Sequence, residues 1–342
     1  MIVKMTKKEL VKFTAITDFH YKKGTNLTTI NDLNTITNRA KNFGADFLLC
    51  AGDFCSDYIR SKEIVNTLKN LEIPFYNAVG NHELENQNNS LEFVVPLLTN
   101  TQNGVVYGGE KSYYYFDKNG VRFVFTDTNF SFNEESGFWE HNRTASVGAP
   151  KGNLYENSLG EKQLIWLKEV LMDGGKKGLK CIVVSHASFN ENWKYYSPSA
   201  KAVKEIFDHV NSKYKGAVLM AINGHRHLDR GERVDGVIYL EINTTFNGFW
   251  KVKENYHYGD NHTFIYEDYD ENGVFLGIYE RPINTLVEGK NTFFFDTPLS
   301  ADITIYDDGS VTVKGVEGKW RYGISPNCED KNCVPKITSR EF

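Results

Sequence analysis

VKFTAITDFH, residues 11–20, is an apolar run of strand length that ends in two side chains able to hold a metal, Asp18 and His20. Val11, Phe13 and Ala15 alternate with Lys12, Thr14 and Ile16, the period of a β-strand. The pattern returns in FLLCAGD, residues 47–53, and in IPFYNAVGNHE, residues 73–83. Between these runs, Asn31 to Phe43 and Ser61 to Asn70 read as helices. Strand, helix, strand, helix, strand predicts parallel strands with crossover helices, and ligands collect at the carboxyl ends of such strands. Asp18, Asp53 and Asn81-His82 fall at those ends.

The rhythm continues towards residue 225. Ser112 to Phe116 and Val121 to Thr126 flank Lys118-Asn119-Gly120, whose Asn-Gly pair predicts a hairpin turn. Phe130 to Ser158 follows, a polar and aromatic stretch without sustained periodicity that contains Phe138, Trp139, His141 and Tyr155. Its length suits a functional lid or a disordered segment. Gly160 to Leu171 reads as a helix with Leu164, Leu167, Val170 and Leu171 on one face, and Lys180 to Ser185 as a strand leading to His186. The helix Ser199 to Val210 and the strand Ala217 to Ile222 repeat the step, ending at Gly224-His225-Arg226-His227. Beyond, β-prone runs surround Asp235-Gly236, Asn272-Gly273 and Asp308-Gly309, and these strands are expected to complete or extend a sheet. No repeat of solenoid period is visible.

At 342 residues and 39.1 kDa the chain can bury a sizeable core. A net charge of −5 and a pI near 6.0 give no basic field for a nucleic-acid backbone. The basic run Lys176-Lys177-Gly178-Leu179-Lys180 reads as a solvated turn. No stretch approaches the ~20 apolar residues of a membrane span, and Met1 to Phe13 lacks a signal-peptide core, so the expected location is the cytoplasm unless a leader was removed. Five cysteines exclude a fully paired framework. Cys50 and Cys181 read as buried hydrophobes, and the lone Cys328/Cys333 pair suits a local disulfide or thiols better than a four-ligand zinc site.

Each cluster has its own chemistry. Asp18 and His20 share a face in an extended segment, so both can reach one ion. Gly52 lets the backbone turn closely beneath an ion held by Asp53. Asn81 offers a neutral amide oxygen, and Glu83 reads as a support for its turn. His225 and His227 are two imidazoles in a turn after a strand, and His186 stands alone after another. Five clusters at strand ends have one economical explanation, convergence on two metal ions. No Gly-x-Ser-x-Gly elbow or Walker-type phosphate loop competes with it.

The ordered set Asp-x-His, Gly-Asp, Gly-Asn-His-Glu, His and Gly-His-x-His resembles the calcineurin-like metallophosphoesterase superfamily, with motifs from Lys12 to about Thr245. The resemblance implies an α/β fold, a four-layer αββα sandwich of two mixed β-sheets flanked by helices with extra C-terminal strands. Residues 1–248 would form the catalytic core and 249–342 a β-rich extension packed on or completing its sheets. It implies two ions bridged by Asp53, one completed by Asp18, His20 and His227, the other by Asn81, His186 and His225. His82 is then the residue that contacts phosphate or protonates the leaving group. Mixed carboxylate, imidazole and amide donors suit Mn, Fe or Zn without selecting among them. Hydrolysis would proceed through a hydroxide shared by the ions. Many relatives carry an acid three residues after the bridging Asp; here Ser56 stands there, with Asp57 next. Asp18-Phe19-His20 also departs from purple acid phosphatases, which lack the histidine.

The expected substrate is a small phosphomonoester or a nucleotide-like phosphodiester, with a protein phosphatase and a catalytically silent metal-binding scaffold as alternatives. Substrate contacts would come from the segments between motifs: His141 in Phe130 to Ser158, Trp193 beside Phe189, Tyr195 and Tyr196 in Ala187 to Ser199, and Arg226 between two ligands. His257 and His262 read as surface or rim residues.

Overall fold

The computed structural model describes residues 7–342 apart from 22, 24–27, 59–60, 85–90, 110, 134–135, 142–156, 246, 251–262, 270–274, 283–290 and 322–329. Tyr155, His257, His262 and Cys328 lie outside the described residues.

The first strand, Glu9–Ile16, is followed by the helix Ile30–Phe43, the strand Phe47–Cys50, the helix Lys62–Lys69 and the strand Phe75–Asn77. The first helix starts at a capping box, in which Thr29 and Asp32 satisfy each other's backbone N–H, and stops at Gly44, whose φ of 77° closes it. The three strands lie parallel, with Phe13 beside Phe47 and Leu48 beside Phe75. On the far edge of Glu9–Ile16 runs Ala301–Tyr306, antiparallel, with Phe13 opposite Ile303. Val311–Gly315 and Arg340–Glu341 then complete a six-stranded mixed sheet.

The second sheet has seven strands, in the spatial order Arg230–Val234, Val237–Glu241, Val218–Asn223, Lys180–Val184, Val121–Phe125, Tyr114–Lys118 and Val106–Tyr107. Its middle is parallel and both its edges are antiparallel. Period-two alternation divides its side chains. Phe123, Phe125, Ile182 and Val184 face the first sheet, whereas Val124, Cys181 and Val183 pack against Leu167, Leu171, Phe207 and Val210 of the helices Glu161–Lys176 and Ala200–Lys213. Between the sheets the core is aromatic: Phe123 meets Phe13 and Phe47 edge to face at 5.3 and 4.9 Å, and Tyr76 stacks on Phe116. The result is a sandwich of two mixed sheets with helices on the outside, as the motifs imply, with the extra C-terminal strands present.

Three local features differ from the sequence reading. Phe130 to Ser158 contains a hairpin, Phe130–Asn133 with Phe138–His141, closed by the cross-strand pair Phe132 and Trp139 and turned at Gly137. The helix expected to end at Leu171 continues to Lys176 through Gly174 and Gly175. A Cβ at these glycines would lie 2.6 Å from Cys181 Sγ and from the Tyr214 ring, so close packing demands them. The hairpin strand around Ser112 begins only at Tyr114 and runs to Lys118. Its turn is as expected, with Asn119 and Gly120 at φ 49° and 85°, and Asp235-Gly236 repeats that geometry. Around Asn272-Gly273 the strands Thr263–Tyr269 and Phe275–Pro282 also pair antiparallel. Among the described residues no helix is long and apolar enough to cross a membrane.

Candidate metal centre

Loops from both sheets meet at the carboxyl ends of their parallel strands. Asp18 and His20 follow Glu9–Ile16, Asp53 follows Phe47–Cys50, Asn81 and His82 follow Phe75–Asn77, His186 follows Lys180–Val184, and His225 and His227 follow Val218–Asn223. The first two loops are tied backbone to backbone, from Asp18 N to Gly52 O at 2.9 Å and His20 N to Asp53 O at 3.0 Å. Glu83 locks the next pair. Its buried carboxylate accepts from the N–H groups of Asp53, Phe54 and Gly80, so it supports the turns, as the sequence suggests.

The chain bends sharply at the candidate ligands. Asp18, His20, Asp53, His225 and His227 all have φ between 48° and 74°, a left-handed conformation that side-chain-bearing residues seldom adopt. Such strain gathers at functional sites, where the surrounding structure holds it. Three glycines let the loops touch. A Cβ would fall 2.6 Å from His186 Nδ1 at Gly52, 2.2 Å from Asp53 Oδ1 at Gly80, and 1.9 Å from Thr17 Oγ1 at Gly224.

Asp18 Oδ1 lies 3.1 Å from His227 Nε2, which lies 3.2 Å from His20 Nε2. Asp53 Oδ2 lies 2.9 Å from His186 Nε2, which lies 3.2 Å from His225 Nδ1. Asp18, His20 and His227 form one group that could hold a metal ion, and Asp53, His186 and His225 another. A third group, His20, Asp53 and His82, links them. Asn81 lines the same cavity of 170 Å³, and its Oδ1 is buried with no hydrogen-bond donor. Nitrogen and oxygen lone pairs crowded this closely, with an orphaned amide oxygen beside them, fit divalent cations.

The charges agree. Burial pushes Asp18 and Asp53 up, but the facing histidines outweigh it: His227 and His186 hold Asp18 below the usual carboxylate range, and His186 and His82 hold Asp53 there. Burial, then the charge of His82, pushes His20 down to about 3. Burial and His186 push His225 well down. Ionised Asp18 and Asp53 beside neutral His20 and His225 are in the protonation states that cation binding requires. His186 is the exception: Asp53 outweighs burial and holds it up to about 10, so an ion there would displace a proton.

Outside the ligands, the structure supplies supports that the motifs do not mark. Asn157 Nδ2 approaches His225 Nε2 at 3.0 Å, Thr17 Oγ1 donates to Asp18 Oδ2 at 2.7 Å, and Thr244 Oγ1 donates to Asp18 O at 2.9 Å. Of the proposed substrate contacts, Arg226 lines the cavity. Trp193 instead lines a separate groove of 440 Å³ with Lys194, Arg230 and Lys331. The His141 side chain is buried with its Nε2 2.7 Å from Asp127 Oδ2, and Asn129 carries that network on to the carbonyls of Val79 and Gly80.

Residues 11–229 match the calcineurin-like phosphoesterase family. No curated protein matches. Among solved structures, a dimetal phosphatase from Danio rerio superposes with a TM-score of 0.55 at 13% identity, over 92% of this chain and 99% of that one. That likeness shows the fold. A candidate 5′-nucleotidase from Staphylococcus aureus, solved with alpha-ketoglutarate, gives a TM-score of 0.41 at 14% identity, over 80% of this chain and 54% of that one.

Proposed function

The chain belongs to the calcineurin-like phosphoesterase family, and from that premise we propose that it hydrolyses a small phosphomonoester or a nucleotide-like phosphodiester with two metal ions. The convergence of seven donors from five loops, with His20, Asp53, Asn81, His225 and His227 lining one cavity and Asp18 and His186 grouped behind them, carries the reading. Asp18, His20 and His227 would hold one ion and Asn81, His186 and His225 the other, with Asp53 placed to serve either. Mn, Fe and Zn all suit this donor set. When bound, such ions lower the pKa of water towards ~7 and neutralise charge growing on the phosphoryl oxygens.

The protein's own groups do the rest. His82 donates its backbone N–H to Asp53 Oδ1 at 2.7 Å, which leaves its ring in the cavity with Nε2 4.0 Å from Asp53 Oδ2. From there the imidazole hands a proton to the leaving-group oxygen. Gly52, Gly80 and Gly224 keep the loops in register, and Glu83 holds the Asp53 and Gly80 turns together.

The test is turnover of nitrophenyl phosphate and bis-nitrophenyl phosphate by protein reconstituted with Mn, compared with Asp53→Asn. At least one ester should be hydrolysed, and the variant should be silent. A wild type that hydrolyses no ester in a broad panel, indistinguishable from Asp53→Asn, rules the reading out.

A further inference from the structure

Arg226 sits between two candidate ligands, yet no carboxylate among the described residues forms an ion pair with it. It is half-buried, its Nε is buried without a hydrogen-bond acceptor, and it lines the cavity with His20, Asp53 and His82. The buried acid of this region, Glu241, lies 3.5 Å from Arg230 Nη1 and reaches Arg226 only through its charge, without a hydrogen bond. A cation removed from water with a donor unsatisfied is costly until an anion completes it.

Tyr195 adds an independent observation. Its φ of 68° is a left-handed conformation that costs a bulky residue free energy, and 54% of its surface is exposed. What the strain achieves is contact: the ring lies 4.6 Å from the Arg226 guanidinium carbon. A guanidinium backed on one face keeps its N–H edge free, the edge that binds phosphate in a fork.

We propose that Arg226 selects the ester: it binds the additional charge and oxygen of a phosphomonoester, and Tyr195 positions it for that contact. A monoester dianion presents three non-bridging oxygens and two charges, whereas a diester presents two oxygens and one charge. An added cationic donor therefore favours the monoester. The proposal rests on the hydrolytic reading and narrows its substrate class.

The experiment uses metal-loaded protein, with metal content measured for each variant. Inorganic phosphate is titrated calorimetrically into wild type, Arg226→Gln and Arg226→Lys, and both nitrophenyl esters are assayed. Arg226→Gln should weaken phosphate binding about 30-fold and lower kcat/KM for the monoester similarly, with a change below about threefold for the diester. Arg226→Lys should recover only part, because an ammonium lacks the planar fork. Tyr195→Phe should keep the monoester preference, and Tyr195→Leu should erode it through KM with kcat nearly unchanged. Equal losses on both esters, or phosphate affinity unchanged in Arg226→Gln, overturns the assignment. If the wild type hydrolyses no ester in the broad panel, the hydrolytic reading fails separately, and the phosphate titration still decides the role of Arg226.

Discussion

His186 Nδ1 lies 2.8 Å from the carbonyl oxygen of Ala51. A carbonyl only accepts, so Nδ1 donates, and Nε2 is the nitrogen turned towards Asp53. Ala51 belongs to the segment that delivers Asp53 two residues later. One loop therefore offers the carboxylate and sets the imidazole that faces it across the two sheets.

Gly52 tests that coupling. Its φ is 99°, and a Cβ there would meet His186 Nδ1 at 2.6 Å. Gly52→Ala should push the ring off its carbonyl and weaken one of the two ions by at least the ~10- to 100-fold typical of disturbed supports. Metal analysis after dialysis should find about one ion where the wild type keeps two; full retention of both would contradict the geometry.

Asn157 is the next support to remove. Asn157→Ala deletes the partner of His225 Nε2 and should cost about 10- to 100-fold in affinity for the ion held by His225, with little change in melting temperature. Competition with a chelator measures it, and an unchanged affinity would demote Asn157 to packing.

His82 separates proton donation from metal binding. His82→Ala should leave metal content intact and lower turnover of an alkyl phosphate about 100-fold or more, while nitrophenyl phosphate, whose leaving group needs little protonation, suffers far less. Equal losses on both substrates would point to a phosphate contact instead.

Glu241 should give the protein a pH signature. Burial, outweighing the opposing charges of Arg230 and Arg226, lifts its carboxyl from 4.5 to about 8. Between those values the unfolded chain loses a proton that the folded chain retains, so stability falls as pH rises through that window. Glu241→Gln removes this contribution. Melting temperatures from pH 5 to 8 should therefore decline more steeply for wild type than for the variant, and parallel slopes would refute the assignment.

The site was more legible in the sequence than its scaffolding, for physical reasons. Asp18, Asp53, Asn81, His186 and His225 each end an apolar run, and strand period plus a polar stop is a local signal. Asn157 carries no such signal: it precedes a helix, and only the fold brings it to His225. Asp127 does follow the strand Val121–Phe125 as Asp53 follows its own, but position alone does not reveal that it is tied to His141 and Asn129. The hairpin Phe130–Asn133 with Phe138–His141 was hidden because its strands are short and Phe132 gains its partner Trp139 only once the turn has formed. Turns were readable where chemistry is forced, as at Asn119-Gly120 and Asp235-Gly236.

The antiparallel pairing of Glu9–Ile16 with Ala301–Tyr306 bears on the order of synthesis. The strand that delivers Asp18 leaves the ribosome nearly three hundred residues before the neighbour that pairs with it. Until then one edge of that strand has bare N–H and C=O groups, open to pairing with other nascent chains. The first sheet therefore matures last, and a stall before residue 301 would leave the amino-terminal half of the metal site on an unfinished edge.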